Sequence, residues 1–463
     1  MSDYDERGYK RYWDRERETM KPAQREKLIL ERMQHQLHYV YEKLPFYRRL
    51  YDEHGFKPDD VGSVEDFTNK VPVVRKKMLV EDQKRNPKFG SYAGDFKEDD
   101  IIRIQGSSGT SGTPTLYRLA RSDWERAADV HAMAQWCAGI RPNDIVQVGF
   151  SYSLFFGGWG VNQGSERLGA TVFPLGAVES ERHLDLMFMV GSTVFSGTPS
   201  YCLHIASVAE RRGLNLADGP VKRLLVGGEA GGSIPSTKGA IQKAWGASCH
   251  DCASTSEMYP FQSLVECDAL QGMHAFTDEV YVEVVNKEDA NQAVPRGTAG
   301  AVVYTHLWRE SQPMIRFWPG DETIMIDDPC SCGRTYPRLP RGVIGRLDDM
   351  LIIRGVNVYP SAVEEVVRSV EGLGPEFLLI LEKRGALDEA TIQAEWSGRL
   401  GLDELSKESR KQRLERLSER VGTELKRAIG LRMQVVLLEP GTLPPTVFKA
   451  RRVVDRRANT VVP

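Results

Sequence analysis

The segment Gln105-Gly-Ser-Ser-Gly-Thr-Ser-Gly-Thr-Pro114 is dense in glycine and hydroxyl residues. Glycine lets neighbouring backbone N–H groups converge on one anion, and hydroxyls add donors without a fixed charge. Ser107, Ser108, Gly109, Thr110, Ser111, Gly112 and Thr113 therefore suit the β- and γ-phosphates of ATP. A flexible linker has a similar composition, but here the strand-like run IIRI leads directly into the loop. No lysine follows the last glycine, which excludes the Walker form of phosphate loop.

A second constellation is Cys267, His274, Cys330 and Cys332. Three thiolates and one imidazole make a closed tetrahedral Zn²⁺ set of the structural kind. The plainer reading is that these are separate buried residues, with cysteine acting as a small hydrophobe. Cys249, His250 and Cys252 form a rival cluster. A third is the run YSLFFGGWG, with Tyr152, Phe155, Phe156 and Trp159. Rings beside glycines can wall a flat aromatic substrate, and the same rings can serve as core.

The elements that must position these residues are legible as periodicities. Leu30, Met33, Leu37, Val40 and Leu44 predict an amphipathic helix over 22–44 that Pro45 ends. Between 144 and 226, IVQVGF, TVFPLG, STVFSG and KRLLVGG recur at helix-length intervals, which predicts a parallel α/β sheet. From 279 to 327, EVYVEVV, GAVVYTHL and ETIMID follow at short intervals and predict an antiparallel β subdomain. Beyond Gly345, SAVEEVVRSV reads as a helix with a Ser361–Glu364 capping box. EFLLILEK, TIQAEW and MQVVLLE read as strands, and Leu414, Leu417, Val421, Leu425 and Ile429 stripe a charged helix.

The expected class is thus α/β: a large N-terminal domain of α/β layers with a β subdomain over 1–345, and a small α/β domain over 346–463. At 463 residues, more than one domain is needed. A formal net charge of −3 gives no electrostatic case for nucleic acid or an anionic membrane. No apolar run reaches the ~18–20 residues that span a bilayer, and the N-terminal segment lacks the pattern of a signal peptide. Seven cysteines without disulfide-scaffold density fit a reducing cytoplasm. A homodimer is compatible with the sequence, which does not fix the oligomeric state.

SSGTSGTPT resembles the phosphate loop of the adenylate-forming enzymes, the superfamily of acyl-CoA synthetases, luciferases and peptide-synthetase adenylation domains. Further motifs follow in the family's order. Asp251-Cys-Ala-Ser-Thr-Ser-Glu257 stands where the family has an aromatic-Gly-x-Thr/Ser-Glu motif. The match gives Ser256 to the α-phosphate and Glu257 to Mg²⁺, with Asp251, Ala253 and Ser254, and Gly228 and Glu229 upstream, around the nucleotide. Ala253 and Ser254 replace the usual aromatic and glycine. Asp321, closing Trp-Pro-Gly-Asp, falls at the ribose-binding position. Gly345-Arg-Leu-Asp-Asp349 resembles the domain junction, which assigns Arg346 to the nucleotide and Asp348 to the hinge near 346–349, and Gly355 to the hairpin that approaches CoA. Lys449 falls at the adenylation lysine, although Phe448 replaces its glycine neighbour.

LFFGGWGVNQGSERLGATVFPLG and IIRGVNVYPSAVEEVV are similar to the phenylacetate-CoA ligase branch. The resemblance implies an AMP-forming ligase with a mobile C-terminal domain. It joins a small aromatic acid of the phenylacetate, indoleacetate or benzoate type to CoA through an acyl-adenylate, using ATP and Mg²⁺. Loading of a carrier protein shares every motif, and a non-catalytic ligand-binding relative is suggested by Ala253, Ser254 and Phe448.

Overall fold

The computed structural model describes residues 3–107, 114–347, 349–354, 356–384, 387–402, 405–444, 446 and 452–457. Its centre is an eight-stranded sheet. In spatial order the strands are Arg338–Leu339, Met273–Ala275, Leu264–Glu266, Ser248–Ala253, Arg223–Gly227, Val194–Gly197, Ile145–Val148 and Thr171–Phe173. The last five are parallel. Helices Gly157–Leu168, Ser180–Val190, Pro199–Arg211 and Pro235–Trp245 lie between them in sequence. Leu224, Leu225 and Val226 are all buried, as expected when both faces of a strand are covered. All four apolar runs between 144 and 226 are strands of this sheet.

A second sheet carries Val280–Val285, Ala299–His306 and Asp321–Ile324 in antiparallel register. It extends further than its sequence pattern implies. Val343–Arg346 adds to Asp321–Ile324, and the two-residue strand Val74–Arg75 pairs in parallel with Phe317–Trp318.

The predicted N-terminal helix runs Pro22–Lys43, with Met33, Leu37 and Val40 buried on one face. Pro45 both ends it and opens a new helix, Pro45–Glu53, since a proline at the first helical position lacks only an N–H that has no partner there.

Toward the C-terminus, Gln434–Leu438, Leu387–Trp396, Leu373–Arg384 and Val453–Asp455 form a four-stranded sheet in that order. The helices Pro360–Ser369 and Lys407–Ile429 pack on it. A separate apolar core running from Ile353 to Met433 holds this region together, with Leu417, Val421 and Leu425 as the long helix's contribution. The capping box is not formed. Tyr359 is the N-cap without a side-chain bond and Pro360 takes the first helical position, which puts Ser361 inside the helix.

Candidate active site

The phosphate-loop segment lies at the turn of an antiparallel hairpin, Ile101–Gly106 with Leu116–Ala120. Ser107 is buried at its base. Its N–H donates to the Thr115 carbonyl (3.0 Å), and its hydroxyl accepts from the Thr115 N–H (3.1 Å). The mouth of the loop is therefore fixed, while 108–113, including Ser108 to Thr113, lie outside the described residues.

Two parallel strands deliver the neighbouring candidates at their C-terminal ends, where open α/β sheets present ligand sites. Gly228 follows Arg223–Gly227 with φ +86°, a left-handed turn that suits glycine. Glu229 next to it accepts the Ser200 N–H at 2.8 Å. Ser248–Ala253 carries Asp251, whose Oδ2 accepts the Ser233 hydroxyl at 2.6 Å. Burial raises the Asp251 carboxyl to about 7, and Glu266 adds to that against Lys238 and the Ser233 hydrogen bond. Ala253 pairs with Leu264, and the Ser254 hydroxyl donates to the Met258 carbonyl at 3.4 Å. Ser256 follows in a half-buried turn.

Glu257 is buried, and its Oε1 stands 3.2 Å from Lys76 Nζ. This places a carboxylate against a cation beside the phosphate-loop hairpin. Lys76 was not singled out from the sequence, where Arg75-Lys-Lys77 belongs to none of the motifs. The signal that identifies it is Val74–Arg75 joining the second sheet, which brings Lys76, first residue of the helix Lys76–Arg85, to Glu257.

Asp321 and Arg346 are register partners on adjacent antiparallel strands, with Oδ1 and Nη1 4.0 Å apart. Arg346 also donates to the Pro319 carbonyl (3.2 Å) and lies 3.8 Å from Asp349. Asp348 and Gly355 lie outside the described residues; the strands flanking Gly355, Leu351–Ile353 and Val356–Val358, pair as the expected hairpin.

Lys449 and Phe448 also lie outside the described residues, but both flanks of that segment converge on Glu376. Its carboxylate accepts the Thr446 N–H (3.1 Å) and hydroxyl (2.9 Å) and pairs with Arg452 at 2.5 Å. Burial alone would raise the Glu376 carboxyl, but Arg452 and the Thr446 hydrogen bonds outweigh it and hold it below its ordinary value.

The ring run divides. Phe156 is 1% exposed and packs against Tyr259, centroid to centroid 4.6 Å, so it belongs to the core and not to an open wall. Tyr152 and Trp159 meet edge to face at 4.8 Å, and Phe155 is half-buried beside Gly157. The Tyr152 hydroxyl donates to Asn162 Oδ1 (3.2 Å), and the Arg103 guanidinium lies 4.3 Å from the Trp159 ring centre.

Cys267, His274, Cys330 and Cys332 do converge, with one potential ligand atom from each lying within 4.8 Å of all the others. The rival cluster does not. Cys249 and Cys252 lie in different cores, and His250 is bonded to Ser248 and the Glu266 carbonyl.

Residues 355–457 match the family described as AMP-binding enzyme C-terminal domain. Phenylacetate-coenzyme A ligase of Thermus thermophilus is 34% identical over 450 residues, covering 96% of this chain and 99% of that protein. The chain belongs to the phenylacetate-CoA ligase family. Among solved structures, 2-hydroxyisobutyryl-CoA ligase in its postadenylation state with 2-HIB-AMP is 40% identical. It superposes with a TM-score of 0.90 over 97% of this chain and 93% of that one. The same ligase in its thioesterification state, with 2-HIB-AMP and CoA, gives 0.72 at 40% identity, covering 96% and 93%. One sequence underlies both values, so conformation accounts for the difference. This chain superposes more closely on the postadenylation form, and its fold is that of the adenylate-forming CoA ligases. No helix among the described residues is long and apolar enough to cross a membrane.

Proposed function

We propose that the chain is an AMP-forming acid–thiol ligase that converts an aromatic carboxylic acid of the arylacetate or benzoate type, with ATP and CoA, to the aryl-CoA thioester, AMP and pyrophosphate. The observation that carries this is end-to-end similarity to a phenylacetate-CoA ligase, over 96% of this chain and 99% of that one. The site geometry agrees with it. Asp321 and Arg346 form a paired acid and base on neighbouring strands for the ribose and phosphate of the nucleotide. Ser107 holds the mouth of the loop assigned to the β- and γ-phosphates.

Both reactants of the first step are anionic, so catalysis is positioning and charge neutralisation. Glu257 would hold Mg²⁺, which supplies neutralisation of the polyphosphate, and Ser256 would contact the α-phosphate. Lys76 neutralises the buried Glu257 carboxylate when that cation is absent. Lys449 bridges the acid's carboxylate and the α-phosphate, and Glu376 pins both ends of its loop through Thr446 and Arg452. In the second step the CoA thiol attacks the acyl carbonyl and AMP leaves. Between the steps the domain over 346–463 turns about Asp348, withdrawing Lys449 and bringing in the hairpin at Gly355.

A second reading has its own observation. The 40% identity to 2-hydroxyisobutyryl-CoA ligase exceeds the 34% to the phenylacetate enzyme, and Phe156 is core, which leaves Tyr152, Phe155 and Trp159 for the acid. A short branched hydroxy acid is the substrate on that reading. Steady-state kinetics with phenylacetate, indoleacetate, benzoate and 2-hydroxyisobutyrate decides it. The arylacetate reading expects the highest kcat/KM for an aromatic acid, and a preference of tenfold or more for 2-hydroxyisobutyrate replaces it.

A further inference from the structure

We infer that Cys267, His274, Cys330 and Cys332 bind one structural Zn²⁺ that clamps the N-terminal arm, residues 3–20, onto the edge of the central sheet. Cys267 Sγ and Cys330 Sγ are 3.7 Å apart, and Cys332 Sγ and His274 Nε2 are 3.3 Å apart. With Zn–S near 2.3 Å and Zn–N near 2.0–2.1 Å, tetrahedral geometry demands edges of about 3.8 Å between sulfurs and about 3.6 Å between sulfur and nitrogen. A disulfide needs ~2.05 Å and is excluded by that separation. The set is soft and complete. Cys267 and His274 are fully buried, Cys330 nearly so and Cys332 partly, and four protein ligands fill a tetrahedral shell, as in structural zinc sites.

The four ligands come from three separate segments. Cys267 follows the strand Leu264–Glu266, His274 lies on its antiparallel neighbour Met273–Ala275, and Cys330 and Cys332 flank a turn closed by Gly333 N–H to the Cys330 carbonyl. The arm is tied to that same turn. The Tyr12 hydroxyl donates to the Cys332 carbonyl (3.1 Å), and Arg334 Nε pairs with the buried Glu18 at 2.6 Å. The Thr335 N–H donates to the Glu18 carbonyl at 3.0 Å. The Arg334 N–H in turn donates to Cys332 Sγ at 3.4 Å, as a thiolate ligand accepts. Further along, the Trp136 indole N–H holds the Lys10 carbonyl. A metal that fixes 330–334 thereby fixes the arm. The clamp sits at the Arg338–Leu339 end of the sheet, on its second and third strands, and shares no residue with the nucleotide site.

The test is metal analysis of the full chain expressed with zinc, together with hydrogen exchange of wild type and Cys332→Ser. Expected are one zinc per chain after gel filtration in EDTA, and at least a tenfold lower content in Cys332→Ser. Protection of 8–20 falls in the variant, and protection of the hairpin at 101–106 is unchanged. Cobalt replacing zinc gives thiolate-to-cobalt charge transfer and tetrahedral d–d bands. Should the variant not fold, wild type titrated with an organomercurial reads the same point, with one zinc released and arm protection lost together. Wild type holding less than about 0.1 zinc per chain without a cobalt spectrum overturns the site. Full zinc in Cys332→Ser overturns the ligand set, and zinc loss with arm protection intact overturns the clamp.

Discussion

Lys76→Met tests whether the Lys76–Glu257 pair is a stand-in for the bound cation. At 3.2 Å and an effective dielectric near 20, the bare attraction is about 5 kcal/mol. That figure is a ceiling, because the Lys76 side chain is 44% exposed and water screens it. Glu257, at 5% exposure, cannot recover its hydration when the partner is removed. Leaving a buried acceptor unpaired costs about 1–3 kcal/mol, which sets the expected loss. For a chain this long, that is roughly 1–3 °C in Tm. The assay is thermal unfolding of wild type, Lys76→Met, Glu257→Gln and the double variant, in EDTA and again in saturating Mg-ATP. Lys76→Met is expected to be destabilised in EDTA, and Glu257→Gln in the same background to restore most of the loss. In Mg-ATP the difference between wild type and Lys76→Met should shrink by half or more. A difference that persists or grows in Mg-ATP refutes the exchange and makes Lys76 a permanent partner of Glu257.

Lys449→Ala is expected to slow pyrophosphate release by on the order of 10²–10³, with turnover of a pre-made acyl-adenylate by CoA much less affected. Glu376→Gln, which loosens both flanks of that loop, should lower the adenylation rate by about tenfold. Because the Glu376 carboxyl lies below its ordinary value in the folded protein, the stability it adds is present above the unfolded pKa near 4.5 and is lost as pH falls through the folded one. Acid unfolding of wild type against Glu376→Gln below pH 5 reads it. Asp251 behaves in the opposite sense. Its carboxyl rises from 3.8 unfolded to about 7 folded, so stability is lost as pH climbs from about 4 to about 7, by roughly 4 kcal/mol at most. Tm of wild type minus that of Asp251→Asn should therefore fall between pH 5 and pH 8. Trp159→Ala is expected to raise KM for an aromatic acid about tenfold or more while KM for ATP stays within twofold.

Much of this architecture was legible because buried elements carry strong periods. The runs ending at Phe150, Gly176, Gly197 and Gly228 read as parallel strands, since a parallel return needs a long crossover, usually a helix, and the gaps between them have that length. The Cys/His constellation was legible from ligand chemistry, although its members are separated by up to 65 residues, Cys267 to Cys332. What escaped has a physical reason in each case. Val74–Arg75 is too short for any period, so the parallel pairing that delivers Lys76 to Glu257 left no pattern. Ser361 and Glu364 satisfied the capping-box spacing, but Pro360 occupies the first helical position and moves the cap to Tyr359. Phe156 looked like its ring neighbours, and only packing against Tyr259 separates it from them. Glu376 serves two partners 70 and 76 residues away, a relation no local window contains.

The most direct test of the ligase assignment is purified enzyme with Mg-ATP and a panel of phenylacetate, indoleacetate, benzoate and 2-hydroxyisobutyrate, following pyrophosphate, AMP and acyl-CoA with and without CoA. The account predicts pyrophosphate release that depends on an aromatic acid, CoA-dependent AMP formation, and one acyl-CoA per AMP. Pyrophosphate release without acyl-CoA would contradict the CoA acceptor, and no pyrophosphate with any acid would contradict adenylation itself.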